Sequence, residues 1–200
     1  MLYQKRDSFN GLEKKLGKIF SYFPVTPNQW TLISVIAGLV SMYFIIKQSF
    51  IIAIFFFLFS GFADYLNGII ARHRNIYTKA FMYLDTVSDR YVDMFILFGM
   101  LFLSLPKIFF PSYIWIFLIL FGSLATAFAK AAAKEKGLEN YDSRGGFVTR
   151  PERIILLSIA LYLGTIDRSF IWTTYILIFM VFITNFTALQ RVYLAIKNNK

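Results

Sequence analysis

The sequence has no cysteine and only one histidine, His73. It can form no disulfide and offers no thiol nucleophile, and it carries no signal about redox compartment. Charge is also scarce: 16% of the 200 residues are charged, against 58% hydrophobic and 20% aromatic, a balance found in membrane proteins. No internal repeat or low-complexity tract interrupts the chain, which reads as a single membrane domain over 1–200. The opening residues are charged and no small-residue cleavage site precedes the first long apolar run, so no cleavable signal peptide is expected.

Apolar stretches of spanning length recur, and they predict helices near Trp30–Ile46, Phe50–Arg72, Ala80–Leu105, Tyr113–Ala133, Arg153–Ile166 and Phe170–Leu194. Basic residues give the orientation. Lys5, Arg6, Lys14, Lys15 and Lys18 precede the first span; Arg72, Arg74 and Lys79 follow the second; Lys130, Lys134, Lys136, Arg144, Arg150 and Arg153 surround the fourth-to-fifth connection; Arg191, Lys197 and Lys200 follow the sixth. The other side has only Lys47, Lys107 and Arg168. This asymmetry predicts six transmembrane helices with both termini on the cytoplasmic side. The net charge of +10 is accounted for by topology and attraction to anionic lipid, so the bilayer is the expected partner and nucleic acid is not.

Ahead of the first span, Phe9, Leu12, Leu16, Ile19, Phe20 and Phe23 recur at helical spacing with lysines between them, the pattern of an amphipathic helix over residues 1–24 lying on the cytoplasmic leaflet. Thr26-Pro27-Asn28 then reads as a cap into the first span. Trp30, Trp115 and Trp172 read as interfacial belt residues, Gly38, Gly61 and Gly99 as points of close helix packing, and His73 as a solvated or headgroup-facing side chain. The connection near 134–152, with Gly145-Gly146, is either a plain cytoplasmic loop or a substrate-contacting one.

Against this apolar background, Asp64 and Asn67 fall in the second stretch and Asp85 and Asp89 in the third. An ionisable residue at bilayer depth costs about 2.5–3.5 kcal/mol even on lenient scales, so such residues mark functional sites. On a helix, Asp64, Asn67, Gly68 and Ala71 share one side with Arg72 near its edge, while Asp85, Asp89 and Asp93 form a stripe. Facing helices would gather carboxylates that cannot all stay ionised and unpaired, and a bound divalent cation is the simplest resolution. Oxygen ligands without His or Cys select Mg2+, Mn2+ or Ca2+ rather than zinc.

The phrase Asp64-Tyr-Leu-Asn67-Gly68-Ile-Ile-Ala71-Arg72, eight residues, Phe81-x-x-x-Asp85-x-x-x-Asp89 resembles the signature of the CDP-alcohol phosphotransferase family, Asp-x-x-Asp-Gly-x-x-Ala-Arg, eight residues, Gly-x-x-x-Asp-x-x-x-Asp. Six positions match in identity and spacing. The resemblance implies an all-α enzyme of phospholipid synthesis in the cell membrane, six helices after a juxtamembrane helix, with its active site on the cytoplasmic side, dependent on Mg2+ or Mn2+ held by Asp64, Asn67, Asp85 and Asp89, and assembled as a homodimer. It implies a CDP-linked lipid donor, bound through Asp64, Gly68, Ala71 and Arg72, and an alcohol acceptor whose hydroxyl Asp89 deprotonates, releasing CMP. Arg150-Pro-Glu-Arg153 and Gln190-Arg191 look similar to the members that make phosphatidylinositol phosphate or its archaeal ether-lipid counterpart, in which arginines hold the phosphate of inositol phosphate. Arg153, Arg191 and Lys134 are the matching candidates here, with positive-inside anchoring as the other reading of the two arginines.

Two positions depart from the signature. Asn67 stands for the second aspartate and brings a carbonyl oxygen without charge, so cation affinity should fall; Phe81 stands for the second glycine and fills space the family leaves open. Asp93 lies outside the signature, as a partner for Arg90 or Arg72 or as a further site residue. Two other functions draw on the same residues: a relative that binds nucleotide or lipid without turnover, which the departures favour, and a small cation transporter, which has no need of Gly68, Ala71 and Arg72.

Overall fold

The structure is a computed structural model that describes residues 10–22, 24–74, 76, 78–138 and 148–198. Seven helices account for nearly all of it: α1 Asn10–Ser21, α2 Pro27–Ile46, α3 Phe50–His73, α4 Lys79–Met100, α5 Ser112–Glu135, α6 Arg150–Ile166 and α7 Ile171–Lys197. Among the described residues there is no strand, only an isolated bridge between Ile108 and Phe110. The chain divides after Leu103 into two compact units, one built on α1–α4 and the other on α5–α7.

Four helices, α2, α3, α5 and α7, are long and apolar enough to cross a membrane. The sequence predicts six. The two that fall short do so for identifiable reasons: α4 carries Lys79, Asp85, Asp89, Arg90 and Asp93 among its 22 residues, and α6 has only 17 residues and starts with Arg150, Glu152 and Arg153. Phe55, Phe117, Phe128 and Phe182 point outward and are exposed, apolar surface suited to lipid rather than water.

In the first unit α2 is the spine, with α3 and α4 each packed along it. Its start is capped as the sequence predicts: Gln29 donates its backbone N–H to Thr26 Oγ1 (3.3 Å) and accepts from the Thr26 N–H (2.7 Å), with Pro27 in the first turn. Such a cap contributes about 1 kcal/mol. Hydroxyls hold the α2–α3 seam. Ser41 donates to the Ala53 carbonyl (2.8 Å), and Ser34 and Ser60 exchange bonds with each other's carbonyls (2.9 and 2.8 Å). With no water in hydrocarbon, these bonds and small-residue contact replace the hydrophobic effect as the force between helices. Gly38 and Gly99 serve the same end on the α2–α4 seam, where a Cβ would come within 3.2 Å of Val92 and Ile45 respectively.

Amphipathic α1 docks on α3 as well as presenting apolar surface outward. Gly17 lies against Ile69 and His73, and Phe20 sets its ring edge-on to Trp30 and Phe62, while Ile19 remains exposed. Phe9 and Phe23, assigned to this helix from the sequence, lie outside the described residues, as do Lys5, Arg6, Arg144, Gly145, Gly146 and Lys200.

In the second unit α5 and α6 pack on α7. Gly122 of α5 faces Thr184 and Asn185 of α7 so closely that a Cβ would sit 2.7 Å from the Thr184 hydroxyl. Asn185 donates across the same seam to the Leu118 carbonyl (3.1 Å), and Thr173 of α7 donates to Ala160 of α6 (2.8 Å). Trp172 is exposed as a belt residue should be, but Trp115 is buried: its indole N–H donates to the Ile108 carbonyl (3.1 Å), which ties the loop before α5 to the helix. Helix α6 begins three residues before the sequence-based boundary because Glu152 reaches back to the Thr149 N–H (3.0 Å) and hydroxyl, a capping box followed by Pro151.

Candidate active site

Asp64 comes from α3, and Asp85 and Asp89 from α4. One carboxylate oxygen of each lies within 4.8 Å of the others, and all three residues are half-buried. Asp85 and Asp89, one turn apart on α4, share a face, and the helix start that sets this phase is fixed by Thr78, whose hydroxyl accepts the Phe81 N–H (3.1 Å). Three hard oxygen donors at this spacing suit a divalent cation and give it no soft ligand.

Asn67 is buried to 1% exposure beside this cluster. Its Nδ2 donates to Asp85 Oδ1 and to Thr31 Oγ1, both at 2.9 Å. Its Oδ1 has no hydrogen-bond partner among the described residues. A buried carbonyl left in that state costs about 1–3 kcal/mol, and a cation is a natural remedy. Asn67 therefore fits the metal set predicted from the sequence, and also does something no spacing argument reveals: it grips a neighbouring carboxylate.

Asp93, the third member of the α4 stripe, is outside the cluster. It is buried and paired with Arg90 (3.4 Å), whose guanidinium also lies 3.9 Å from Asp89. The structural reading of Asp93 holds. Phe81, in place of the family glycine, is buried. A Cβ on Gly68 would meet only the Arg72 guanidinium (3.4 Å), so the surface beside Asp64 is roofed by a flexible, exposed side chain and not by packed helix. Ala71 has no accessible surface, and His73 is exposed at the end of α3.

The second unit gathers cations. Arg153 of α6 is buried and donates through Nη1 to Ser123 Oγ (2.6 Å); Arg191 of α7 donates through Nη1 to the Thr126 carbonyl (3.0 Å). Ser123 and Thr126 are one turn apart on α5, so two helices direct guanidinium groups at the same stretch of a third. Lys130, further along α5, has Arg191 and Lys134 as like-charged neighbours. Lys134 itself is exposed in the last turn. Mutual repulsion in such a group is relieved by an anion. Ser123 and Lys130 were not singled out in the sequence, where one is an ordinary apolar-helix serine and the other one of many basic residues near a span end.

The CDP-alcohol phosphatidyltransferase family model matches residues 24–189, most of the chain, including the whole acidic cluster and all of the basic one but Arg191, two residues beyond the match. The chain belongs to this family. It is accordingly a multi-pass membrane transferase that moves a substituted phosphate group from a CDP-linked donor to an alcohol. The transferase is 30% identical over 186 residues to an archaetidylinositol phosphate synthase of Pyrococcus horikoshii, covering 92% of this chain and 90% of that protein. It is 28% identical over 188 residues to an uncharacterized protein of Aquifex aeolicus. Its fold is that of the phosphatidylinositol phosphate synthase of Mycobacterium tuberculosis: the CDP-DAG-bound structure aligns with a TM-score of 0.77 at 20% identity over 92% of both chains. The complex of that enzyme with manganese and citrate aligns with a TM-score of 0.73 at 21% identity, over 92% of this chain and 87% of the other.

Proposed function

We propose that the transferase takes its substituted phosphate group from a CDP-linked lipid and delivers it to inositol phosphate, releasing CMP. The observation that carries the reaction is the half-buried cluster of Asp64, Asp85 and Asp89 set within the family signature. Asp64, Asp85, Asp89 and the Asn67 oxygen would hold Mg2+ or Mn2+, which when bound neutralises pyrophosphate charge. Arg72, leaning over Gly68, with the small Ala71 behind them, borders the space for the nucleotide. Asp89 takes the proton from the acceptor hydroxyl. The hydroxyl oxygen forms the bond to the β-phosphorus, the bond from that phosphorus to the bridging oxygen breaks, and CMP leaves.

Arg153 and Arg191, with Lys134 as a third member, supply the acceptor's phosphate site. The convergence of buried or half-buried guanidinium groups on α5 supports this, because anchoring at a membrane surface requires no such burial. The names of the related synthases point to the same acceptor. In this reading α4 and α6 complete six spans of a single domain, as the reach of the family model along the chain supports. The basic residues put the termini and the site on the cytoplasmic side, and the working form is a homodimer.

The test is incubation of the purified protein with CDP-lipid, Mg2+ or Mn2+ and a panel of acceptors, following CMP. Release that requires inositol phosphate is expected. Equal release with unphosphorylated inositol or glycerol phosphate would remove the acceptor assignment, and no release with any acceptor would leave a binding protein.

A further inference from the structure

We propose that Thr31 of α2 is a positioning residue of the cation site: its hydroxyl sets the orientation of Asn67, so that the amide nitrogen holds Asp85 and the amide oxygen is left for the metal. The inference rests on the cation reading above. It adds a third helix, one with no acidic residue, to the machinery of the centre.

The argument is one of donors and acceptors. A carboxamide has two nearly isosteric ends, and rotation by half a turn exchanges them. The Thr31 hydroxyl donates to the Pro27 carbonyl (3.2 Å), so its proton is committed and its oxygen can only accept. Asp85 Oδ1, as a carboxylate oxygen, also only accepts. The end of Asn67 that lies 2.9 Å from both must therefore be the NH2. The reversed amide would set its oxygen against two acceptors and turn NH2 to where the oxygen now lies, where a cation would be repelled.

Thr31 also differs from the other hydroxyls of the α2–α3 seam. Ser34 and Ser41 reach backbone carbonyls of Ser60 and Ala53 and act as helix-to-helix clasps. Thr31 alone among these three contacts a side chain of the site, and it is buried where no surface role applies. Groups that orient a metal ligand commonly matter nearly as much as the ligand itself.

The test uses the full chain, purified in detergent, with Mn2+ binding followed by loss of the free-ion EPR signal and thermal unfolding measured with and without Mn2+. Thr31→Val keeps the shape and removes the hydroxyl; Mn2+ affinity should fall about tenfold or more, and the metal-induced rise in unfolding temperature should shrink. Thr31→Ser should bind like the wild type. In an Asn67→Ala background Thr31→Val should change the affinity by less than about twofold, because its effect passes through Asn67. Should Thr31→Val not fold, Thr31→Ala carries the same expectations. Wild-type affinity in the Val or Ala variant, a full further loss in the Asn67→Ala background, or a Ser variant as weak as Val would each overturn the assignment. Absence of Mn2+ binding by the wild type would bring down the cation reading and this inference together, whereas wild-type binding unaffected by the variants brings down this inference alone.

Discussion

Arg153 and Ser123, thirty residues apart, are joined by a bond of 2.6 Å that fixes one edge of a buried guanidinium against α5. A guanidinium carries its five N–H donors in a planar fork, a shape that suits bidentate contact with a phosphate. Arg153→Ala should raise the KM for the phosphorylated acceptor by about 10- to 150-fold, the equivalent of 1.5–3 kcal/mol, with little change for the CDP donor. Arg191→Ala should act in the same direction. Steady-state kinetics with each substrate varied in turn is the check, and equal effects on both substrates would reduce these arginines to helix anchors.

Asp89→Asn should cut turnover by about 10²–10⁴-fold. Because Asp89 also belongs to the carboxylate cluster, the assay needs saturating Mn2+, and CDP-lipid binding should then stay within a few-fold of wild type. Turnover restored by added metal would make Asp89 a ligand only.

Asn67→Asp would put a carboxylate 2.9 Å from the Asp85 oxygen in place of an N–H donor, and would leave the Thr31 oxygen facing an acceptor. Without metal the variant should unfold at lower temperature than wild type, since like charges at that distance repel. With Mn2+ it should bind more tightly, and the two effects together predict a larger metal-induced stabilisation. The affinity gain should weaken as pH falls and the pair takes up a proton. Thermal unfolding over an Mn2+ titration at two pH values tests all three statements.

Gly122→Ala should destabilise the α5–α7 seam by about 1–3 kcal/mol. The Cβ would meet the Thr184 hydroxyl at 2.7 Å and Asn185 Nδ2 at 2.9 Å, and both groups are tethered, to Met180 and to Leu118 and Val181. A lowered unfolding temperature with unchanged Mn2+ affinity is expected. An unchanged unfolding temperature would show that the seam can yield.

Much of this molecule was legible along the chain because it depends on short-range periodicity. Asp85 and Asp89 share a face because they are four residues apart on a helix, and Asp64, Gly68 and Arg72 follow the same rule; the cap at Thr26 is a local pattern as well. The scarcity of charge and the lengths of α2, α3, α5 and α7 dictate a membrane environment before any contact forms. What the sequence could not contain is direction between helices. That Asn67 turns its nitrogen to Asp85 follows from a threonine 36 residues away whose proton is already spent on Pro27. That Asp93 pairs with Arg90 while Asp85 and Asp89 join Asp64 depends on which part of α4 lies against α3. That Arg153 is buried at Ser123 and not spread at a lipid surface depends on how α6 seats in its unit. Spacing along a helix is covalent geometry and is written in the chain, whereas the partner of a buried polar group is whichever donor or acceptor the packing brings within 3 Å or so, and only the folded protein decides that.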